Sequence, residues 1–388
     1  MDMDFIPYGT QWIDDDDINE VVKVLRSDWI TTGPKIKEFE DALCAYLGCR
    51  HCVAVNSGTS ALDIAVQSLE LPKGSEVITT PFTFVATSNA IIYNGLKPVF
   101  ADICSDTFNI DPEDIKRKIT NDTKAIIYVD YAGQPCDIKA IRDIADEFDL
   151  YLIEDACHAI GAEYDGKKVG NFADLTIFSF HPVKHITTGE GGAVATEDEE
   201  LYKRLSLLRS HGIDKDAQDR YGPDASWAYD MKYLGRNYRI TDFQAALGIS
   251  QLKKLDMFID KRNELALRYN ELLGDIDPVT LPVTKDNVRH AWHLYTILLD
   301  ESINRDEFFK YMRSANIGVN LHYIPVYMHS YYVKNFGLDP EEFPVTEDVF
   351  KRIITLPLFP RMNVQQVEYV VTSINESINC IRKVVKTY

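Results

Sequence analysis

The sequence predicts an α/β fold in which a mostly parallel sheet forms a large domain and a smaller α+β domain follows it. Short, fully apolar segments alternate with helical patterns between residues 52 and 195, which is typical of parallel strands buried on both faces. The chain has 388 residues, enough for one large and one smaller domain. A stretch rich in aspartate, proline and threonine at residues 275–287 marks the change to the second part.

The elements follow in chain order from their apolar periodicity. Helices are expected at residues 14–26 and 35–47. In the alternating part we expect strands at 52–55, 76–79, 98–101, 125–129, 151–153, 175–180 and 193–195, and helices at 59–69, 83–93, 137–148 and 198–211. A long helix at 241–273 is expected to link a large domain, residues 1–250, to a small one, residues 251–388. The small domain should contain strands at 292–299 and 318–322 and helices at 304–315 and 363–384.

Composition excludes several classes of partner. The formal net charge is -19, and no basic cluster offsets it, so we expect neither nucleic acid nor a membrane surface as a partner. No apolar run reaches the length of a membrane span. The acidic amino terminus lacks the pattern of a signal peptide, which predicts a cytoplasmic protein.

The seven cysteines form an odd, scattered set that suits a reducing compartment. Cys44, Cys49 and Cys52 have the C-x4-C-x2-C spacing of some iron–sulfur sites. Cys44 is expected on a helix and Cys52 on a strand, an arrangement that should hold the thiols apart. The acidic run at residues 14–17 is interpreted as the charged start of a helix. We therefore expect no metal site.

One lysine stands at the end of a predicted strand. Lys184 follows the strand at residues 175–180 and precedes the glycine-rich segment 189–192. A Schiff-base cofactor needs an amine that reaches an aldehyde and swings away when substrate displaces it. The alternative is an ordinary solvated lysine, which is the commoner case.

Three other stretches lie at strand ends, where ligands of parallel sheets bind. Residues 56–62, NSGTSAL, form a strand-to-helix turn whose free N–H groups suit a phosphate, although plain capping of the helix explains the same residues. Asp155 can keep a pyridine nitrogen protonated, and His158 can reach the same ligand. Phe84 can stack on a flat ring or simply fill the core. Taken in chain order, the turn at residues 56–62, Phe84, Asp155 and Lys184 are the parts of a pyridoxal phosphate site.

At this point the chain resembles the sugar-nucleotide aminotransferases of the DegT/DnrJ/EryC1/StrS family. The resemblance rests on NSGTSAL, TPFTFVATSNAI, IEDACHAIGA, FSFHPVKHITTGEGGA and GRNYRITDFQAALG, and it covers nearly the whole chain from PYGTQWI onward. It implies the fold of type I pyridoxal phosphate enzymes, with a large sheet of the seven-stranded, mostly parallel type. It also implies a homodimer with its sites at the subunit interface.

The resemblance implies a role for each matching residue. Lys184 and Asp155 are the catalytic pair: the lysine carries pyridoxal phosphate as a Schiff base, and the aspartate pairs with the pyridine nitrogen. The other implied cofactor contacts are Gly58 and Thr59 (backbone N–H groups to the phosphate), Ser179 (hydroxyl to the phosphate), Phe84 (stacking on the ring), His158 (phenolic oxygen) and Asn237 (phosphate of the neighbouring subunit's cofactor). Arg239 is the alternative to Asn237. Candidates for substrate contacts are Tyr8, His181, Arg236, Arg239, His322 and Tyr323, with Arg209 a further candidate for the pyrophosphate.

The implied reaction is transamination. Family members that dehydrate sugars carry histidine in place of the lysine, and here His185 directly follows Lys184. Lys184 lies five residues after Ser179, which is the spacing found in the family between this serine and the lysine that binds the cofactor. The resemblance therefore does not favour dehydration. SFHPVKHITTGEGG and PYGTQWI most resemble members of the pseudaminic acid route, which implies amino transfer from L-glutamate to C4 of a UDP-linked 4-keto-6-deoxy-N-acetylhexosamine. Alternatives are another 4-keto-6-deoxy or a 3-keto sugar nucleotide, dTDP- or GDP-linked, or a catalytically silent homologue acting as a binding subunit.

Overall fold

A computed structural model of the chain describes residues 4–214, 227–274 and 276–385. Its strands are β1 (His51–Val55), β2 (Glu76–Thr79), β3 (Lys97–Phe100), β4 (Thr123–Val129), β5 (Tyr151–Asp155), β6 (Glu163–Tyr164), β7 (Lys167–Lys168), β8 (Leu175–Ser179), β9 (Gly192–Thr196), β10 (Val279–Thr280), β11 (Val288–Arg289), β12 (Tyr295–Leu299) and β13 (Ile353–Leu356). Seven of them form one large sheet. The predicted strands of the alternating part are therefore confirmed, with ends that differ by one or two residues.

The large sheet has the strand order β1-β9-β8-β5-β4-β2-β3. The neighbours β3–β2, β2–β4, β4–β5 and β5–β8 pair in parallel, whereas β9 runs antiparallel to both β8 and β1. The strands β2, β8 and β9 are buried along their whole length, because helices cover both faces of the sheet. The prediction of a mostly parallel, seven-stranded sheet is confirmed.

The helices span Asp15–Leu25, Pro34–Leu47, Gly58–Ser68, Ala86–Tyr93, Pro112–Lys118, Ile138–Phe148, Glu199–Arg209, Asp242–Leu252, Leu255–Leu273, Arg305–Ser314, Ser330–Phe336, Pro344–Arg352 and Val364–Val385. Among the described residues no helix combines the length and the apolar character needed to cross a membrane. The acidic run begins the first helix as predicted: Asp14 and Asp17 form a reciprocal capping box, each carboxylate accepting from the other's backbone N–H.

Two predictions about elements are wrong. The long helix expected over residues 241–273 is two helices that meet at Lys253 and Lys254. No glycine or proline marks this break, and the apolar spacing runs through it, so the sequence pattern conceals it. The strand expected at residues 318–322 is reduced to a single bridge between Asn320 and Thr355.

A third prediction also fails, because the thiols of Cys44, Cys49 and Cys52 are not held apart. Their sulfur atoms all lie within 4.8 Å of one another. The helix Pro34–Leu47 ends at Gly48, whose φ of 76° turns the chain straight back into β1. This left-handed turn brings the last turn of the helix against the start of the strand.

The carboxyl-terminal part has its own small sheet, in the antiparallel order β10-β12-β13. Its apolar core is shared with the helices Leu255–Leu273 and Val364–Val385 and with Ile6. The boundary near residue 250 between a large and a small domain stays a prediction. We propose it because this apolar core is separate from the cores around the large sheet.

Candidate active site

A cavity of about 550 Å³ lies beyond the carboxyl ends of the parallel strands. Val129, Asp155 and Ser179, the last residues of β4, β5 and β8, all line it. Ligands of α/β sheets bind at this edge. Of the predicted cofactor contacts, the cavity brings together Gly58, Thr59, Phe84, Asp155, His158, Ser179 and Lys184. Of the predicted substrate contacts, it adds Tyr8, His181, His322 and Tyr323.

The turn after β1 presents the start of a helix to the cavity. Ser57 caps the helix Gly58–Ser68, its Oγ accepting from the N–H of Ser60 at 3.0 Å. Capping and phosphate binding are compatible here, because Gly58 and Thr59 precede the capped N–H and face the cavity. A side chain at Gly58 would place its Cβ 3.0 Å from the Cβ of Ser179 and 3.3 Å from the sulfur of Cys157. Glycine therefore lets the positive end of this helix approach β8.

Asp155 is almost fully buried, and its carboxylate is held from two sides. One oxygen accepts a hydrogen bond from the hydroxyl of Thr87 at 2.7 Å, and the other accepts from the N–H of Cys157 at 3.3 Å. An anchored carboxylate at the cavity floor suits a protonated ring nitrogen. Thr87 lies within TPFTFVATSNAI, but it was not predicted as a site residue, because that stretch indicates only the start of a helix.

The amine of Lys184 enters the same cavity. Burial lowers the pKa of Lys184 from 10.5 to about 8, against the opposing effect of the nearby Cys157 and Asp155. Its Nζ lies 3.4 Å from Nε2 of His293. His293 was not predicted from the sequence, because HAWHLYTI has the pattern of a plain apolar strand. A lysine whose amine is partly neutral near physiological pH is a good Schiff-base nucleophile.

Two aromatic side chains and two histidines close the cavity opposite the turn. Nε2 of His158 lies 2.9 Å from the hydroxyl of Tyr323, and the ring of Tyr323 lies 6.1 Å from that of Phe84. Burial holds the pKa of His158 well below its usual range, so the imidazole is neutral. Nδ1 of His158 is buried and has no hydrogen-bond partner among the described residues. His322 is anchored through Nδ1 to the hydroxyl of Thr355 at 2.9 Å.

Pyridoxal phosphate fits this arrangement. The helix start offers N–H donors for a phosphate, the anchored carboxylate suits a pyridinium, and the amine suits an aldehyde. The unpartnered Nδ1 of His158 is an orphaned polar atom that a bound polar ligand would satisfy.

The predicted residues of the segment 235–239 do not line this cavity. Arg236 donates from Nε to the carboxylate of Asp63 at 3.3 Å, and Asn237 is exposed, with its backbone bridged to Ser210. Arg239 is also absent from the lining. The segment is nevertheless a direct neighbour of the turn after β1, because the carbonyl oxygen of Tyr238 accepts a hydrogen bond from the N–H of Asn56 at 2.9 Å.

Arg209 is engaged inside the fold rather than in the cavity. It pairs with Glu40 and donates to the carbonyl of Ala54 at 2.9 Å. A guanidinium committed to an internal ion pair and a backbone carbonyl is a structural group, so the expectation that Arg209 contacts a pyrophosphate finds no support.

Curated relatives cover almost the entire chain. The uncharacterized protein MJ1066 of Methanocaldococcus jannaschii is 44% identical over 97% of this chain and 98% of its own length. The spore coat polysaccharide biosynthesis protein SpsC of Bacillus subtilis is 40% identical over 96% of this chain and 97% of its own. The UDP-4-amino-4,6-dideoxy-N-acetyl-beta-L-altrosamine transaminase of Campylobacter jejuni is 40% identical over 97% and 99%.

Solved structures share the fold. PseC of Helicobacter pylori, an aminotransferase of pseudaminic acid biosynthesis, superposes with a TM-score of 0.91 at 35% identity over 97% of this chain and 100% of its own. The protein Spr1654 of Streptococcus pneumoniae, described as a sugar aminotransferase, superposes in its pyridoxamine phosphate form with a TM-score of 0.91 at 33% identity, over 97% and 100%. The pyridoxal phosphate form of the same protein superposes with a TM-score of 0.90 at 32% identity, over 97% of this chain and 99% of its own.

These likenesses agree with the chemistry of the cavity, and they identify pyridoxal phosphate as the cofactor. The model of the DegT/DnrJ/EryC1/StrS aminotransferase family matches residues 11–375. The chain belongs to the DegT/DnrJ/EryC1/StrS family, whose members are sugar aminotransferases dependent on pyridoxal phosphate.

Proposed function

We propose that the chain transfers an amino group from L-glutamate to C4 of a UDP-linked 4-keto-6-deoxy-N-acetylhexosamine, in the biosynthesis of pseudaminic acid. The names of the Campylobacter and Helicobacter relatives support this substrate. The resemblance of SFHPVKHITTGEGG and PYGTQWI to members of that route supports it as well.

One observation carries the choice of transamination over dehydration. Lys184, and not His185, lines the cavity beside Asp155. His185 is buried outside the lining, with its Nε2 2.9 Å from the carbonyl oxygen of Ala291. The histidine is therefore a structural neighbour, and the amine stands where the reaction takes place. The complete set of lysine, aspartate and helix start also argues against a catalytically silent homologue.

The roles of the residues follow from their surroundings. Bound pyridoxal phosphate supplies an aldehyde for the amino group and a ring that delocalises an electron pair. Lys184, neutral above a pH of about 8, would take the proton from the substrate carbon and return it to the cofactor side. Asp155, anchored by Thr87, would hold the ring nitrogen in its protonated form. The N–H groups of Gly58 and Thr59, with the hydroxyl of Ser179, would bind the phosphate.

The substrate contacts and the assembly are part of the same proposal. Tyr8, His181, His322 and Tyr323 line the cavity and would face the sugar. We propose a homodimer in which Asn237, exposed on one subunit, reaches the phosphate in the neighbouring site, with Arg236 and Arg239 toward the nucleotide. The cytoplasmic location expected from the amino terminus stays a prediction.

A second candidate is the same reaction on a different sugar nucleotide. SpsC, whose name points to spore coat polysaccharide, is as similar in identity as the altrosamine transaminase, at 40% each. A dTDP- or GDP-linked 4-keto-6-deoxy sugar, or a 3-keto sugar, would need the same amine and carboxylate. Only the contacts to the sugar and nucleotide would differ.

A half-reaction separates these proposals. The enzyme is loaded with pyridoxamine phosphate and mixed with the UDP-linked 4-keto-6-deoxy-N-acetylhexosamine, and the absorbance of the pyridoxal form is followed. The dTDP- and GDP-linked 4-keto-6-deoxy sugars are run in parallel, with Lys184→Ala as the control. We expect the absorbance of the pyridoxal form to return rapidly with the UDP-N-acetyl sugar alone. Its return with another sugar would change the assigned substrate. No return with any of the sugars would contradict transamination.

A further inference from the structure

Three cysteine side chains converge far from the cavity. We call Cys44, Cys49 and Cys52 the cysteine cluster, because their sulfur atoms all lie within 4.8 Å of one another. Cys49 and Cys52 are 8% and 2% exposed, whereas Cys44 is only partly buried. Two residues of the cluster are therefore shielded from solvent, and the third is partly accessible.

The backbone holds these thiols in place. Cys44 lies in the last turn of the helix Pro34–Leu47, and its carbonyl accepts from the N–H of Gly48 at 2.8 Å. Cys49 follows this turn, and its thiol points to the carbonyl of His51 at 3.7 Å. Cys52 lies within β1, where it pairs with Ala195 of β9. The helix, the turn and the sheet each contribute one sulfur, so the arrangement does not depend on a flexible loop.

We propose that the cysteine cluster binds one thiophilic divalent ion, of which Zn²⁺ is the representative, through three thiolates and a water molecule at the open side. Zinc–sulfur bonds of about 2.3 Å at tetrahedral angles put neighbouring sulfurs about 3.8 Å apart. The observed limit of 4.8 Å accommodates that separation with little movement. In a [4Fe–4S] cluster each thiolate binds its own iron, which spreads the cysteine sulfurs further apart.

The surroundings of the cluster suit a cation. The carboxyl end of the helix, at Leu47, places a partial negative charge beside Cys44. A thiophilic ion displaces the protons of the thiols as it binds. A simple apolar role would not require three sulfur atoms to converge.

The position of the cluster assigns the ion a structural role. The cluster stands at the beginning of β1, whereas the phosphate-binding turn follows its end. The five residues from Cys52 to Ser57 span about 16 Å in an extended strand. The ion would fasten the helix Pro34–Leu47 to an edge strand of the large sheet, and the inference is independent of the proposed substrate.

Cobalt replaces zinc and reports thiolate ligation directly. The full-length protein is purified anaerobically with a phosphine reductant, stripped of bound metal with a chelator, and titrated with Co²⁺. We expect a thiolate-to-cobalt charge-transfer band in the near ultraviolet that saturates at one ion per chain and disappears when Zn²⁺ is added. Elemental analysis of the protein as purified should show a matching zinc content.

Two single substitutions provide the matched comparison. Cys44→Ser removes the most exposed ligand and should weaken Co²⁺ binding by more than about 100-fold, because even outer-shell changes cost 10- to 100-fold. Cys380→Ser, at an exposed cysteine of the last helix, should leave the titration unchanged. Circular dichroism checks that both variants are folded.

Three results would overturn the proposal. The first is a titration of the wild-type protein that shows no charge-transfer band. This result involves no variant, so misfolding of a variant does not explain it. The second is equal Co²⁺ affinity of Cys44→Ser and Cys380→Ser. The third is a disulfide between two cysteines of the cluster in protein purified anaerobically without the phosphine, found by peptide mapping under non-reducing conditions.

Discussion

The pKa of Lys184 gives the sharpest test of the site. A free lysine with a pKa of 10.5 is neutral in about 0.03% of molecules at pH 7, whereas a pKa of about 8 makes that fraction about 10%. The buried amine is therefore available about 300 times more often. Since a Schiff base forms only from the neutral amine, this difference bears directly on how fast the apoenzyme takes up its cofactor.

Competitive labelling measures this pKa. The apoenzyme is treated with a trace of an amine-acylating reagent between pH 6 and 11, and the modified peptides are quantified by mass spectrometry. We expect the labelling of Lys184 to have its midpoint near pH 8. Lys139 is the internal reference, because its exposed amine pairs with Asp143 at 3.2 Å and this contact raises its pKa. Its labelling should rise only at higher pH.

The effect of the Asp155 carboxylate on the pKa of Lys184 provides a second, stricter test. The charge of Asp155 raises the pKa of Lys184, in opposition to burial. Asp155→Asn should therefore move the labelling midpoint below that of the wild type. A wild-type midpoint that coincides with that of Lys139, or a midpoint that rises in Asp155→Asn, would refute the assignment of the shift to burial opposed by the carboxylate.

The remaining predictions concern Thr87 and His293, whose contacts in the cavity were not predicted from the sequence. Thr87→Val removes the 2.7 Å hydrogen bond to the Asp155 carboxylate and should lower the free energy of unfolding by about 1.5–3 kcal/mol, the usual value for a bond to a charged group. Thr79→Val is its control in chemical denaturation, because that buried hydroxyl has no partner among the described residues; equal losses would contradict the prediction. His293→Phe keeps a ring but removes the 3.4 Å contact with Lys184, and it should slow the single-turnover half-reaction about 10-fold. Cofactor content should stay unchanged, and an unchanged rate would show that the ring only fills space.

The sequence revealed the parts of the site that belong to strand ends. Asp155, Ser179 and Lys184 follow apolar segments, and the carboxyl ends of parallel strands share one edge. Their convergence is therefore a property of the topology. Gly58 could be placed for the same reason, at the end of β1.

The parts of the site that were not predicted from the sequence depend on contacts between distant segments. His293 approaches Lys184 from the carboxyl-terminal part of the chain, and Thr87 reaches Asp155 across two strands of the sheet. No local pattern encodes either contact. The cysteines were misjudged for a different reason: a helix and a strand generally diverge, and only the left-handed conformation of Gly48 folds them back on each other.

The cavity has a consequence for how the protein is made. Its lining runs from Tyr8 to Tyr323 and draws on both the large sheet and the carboxyl-terminal part. A chain emerging from the ribosome can build much of the large sheet early, but the wall formed by His322 and Tyr323 arrives last. A product truncated before that segment would form a sheet with an open cavity. The wall that faces the sugar would thus be complete only once synthesis has passed residue 323, so binding of the keto sugar would stabilise only the finished protein.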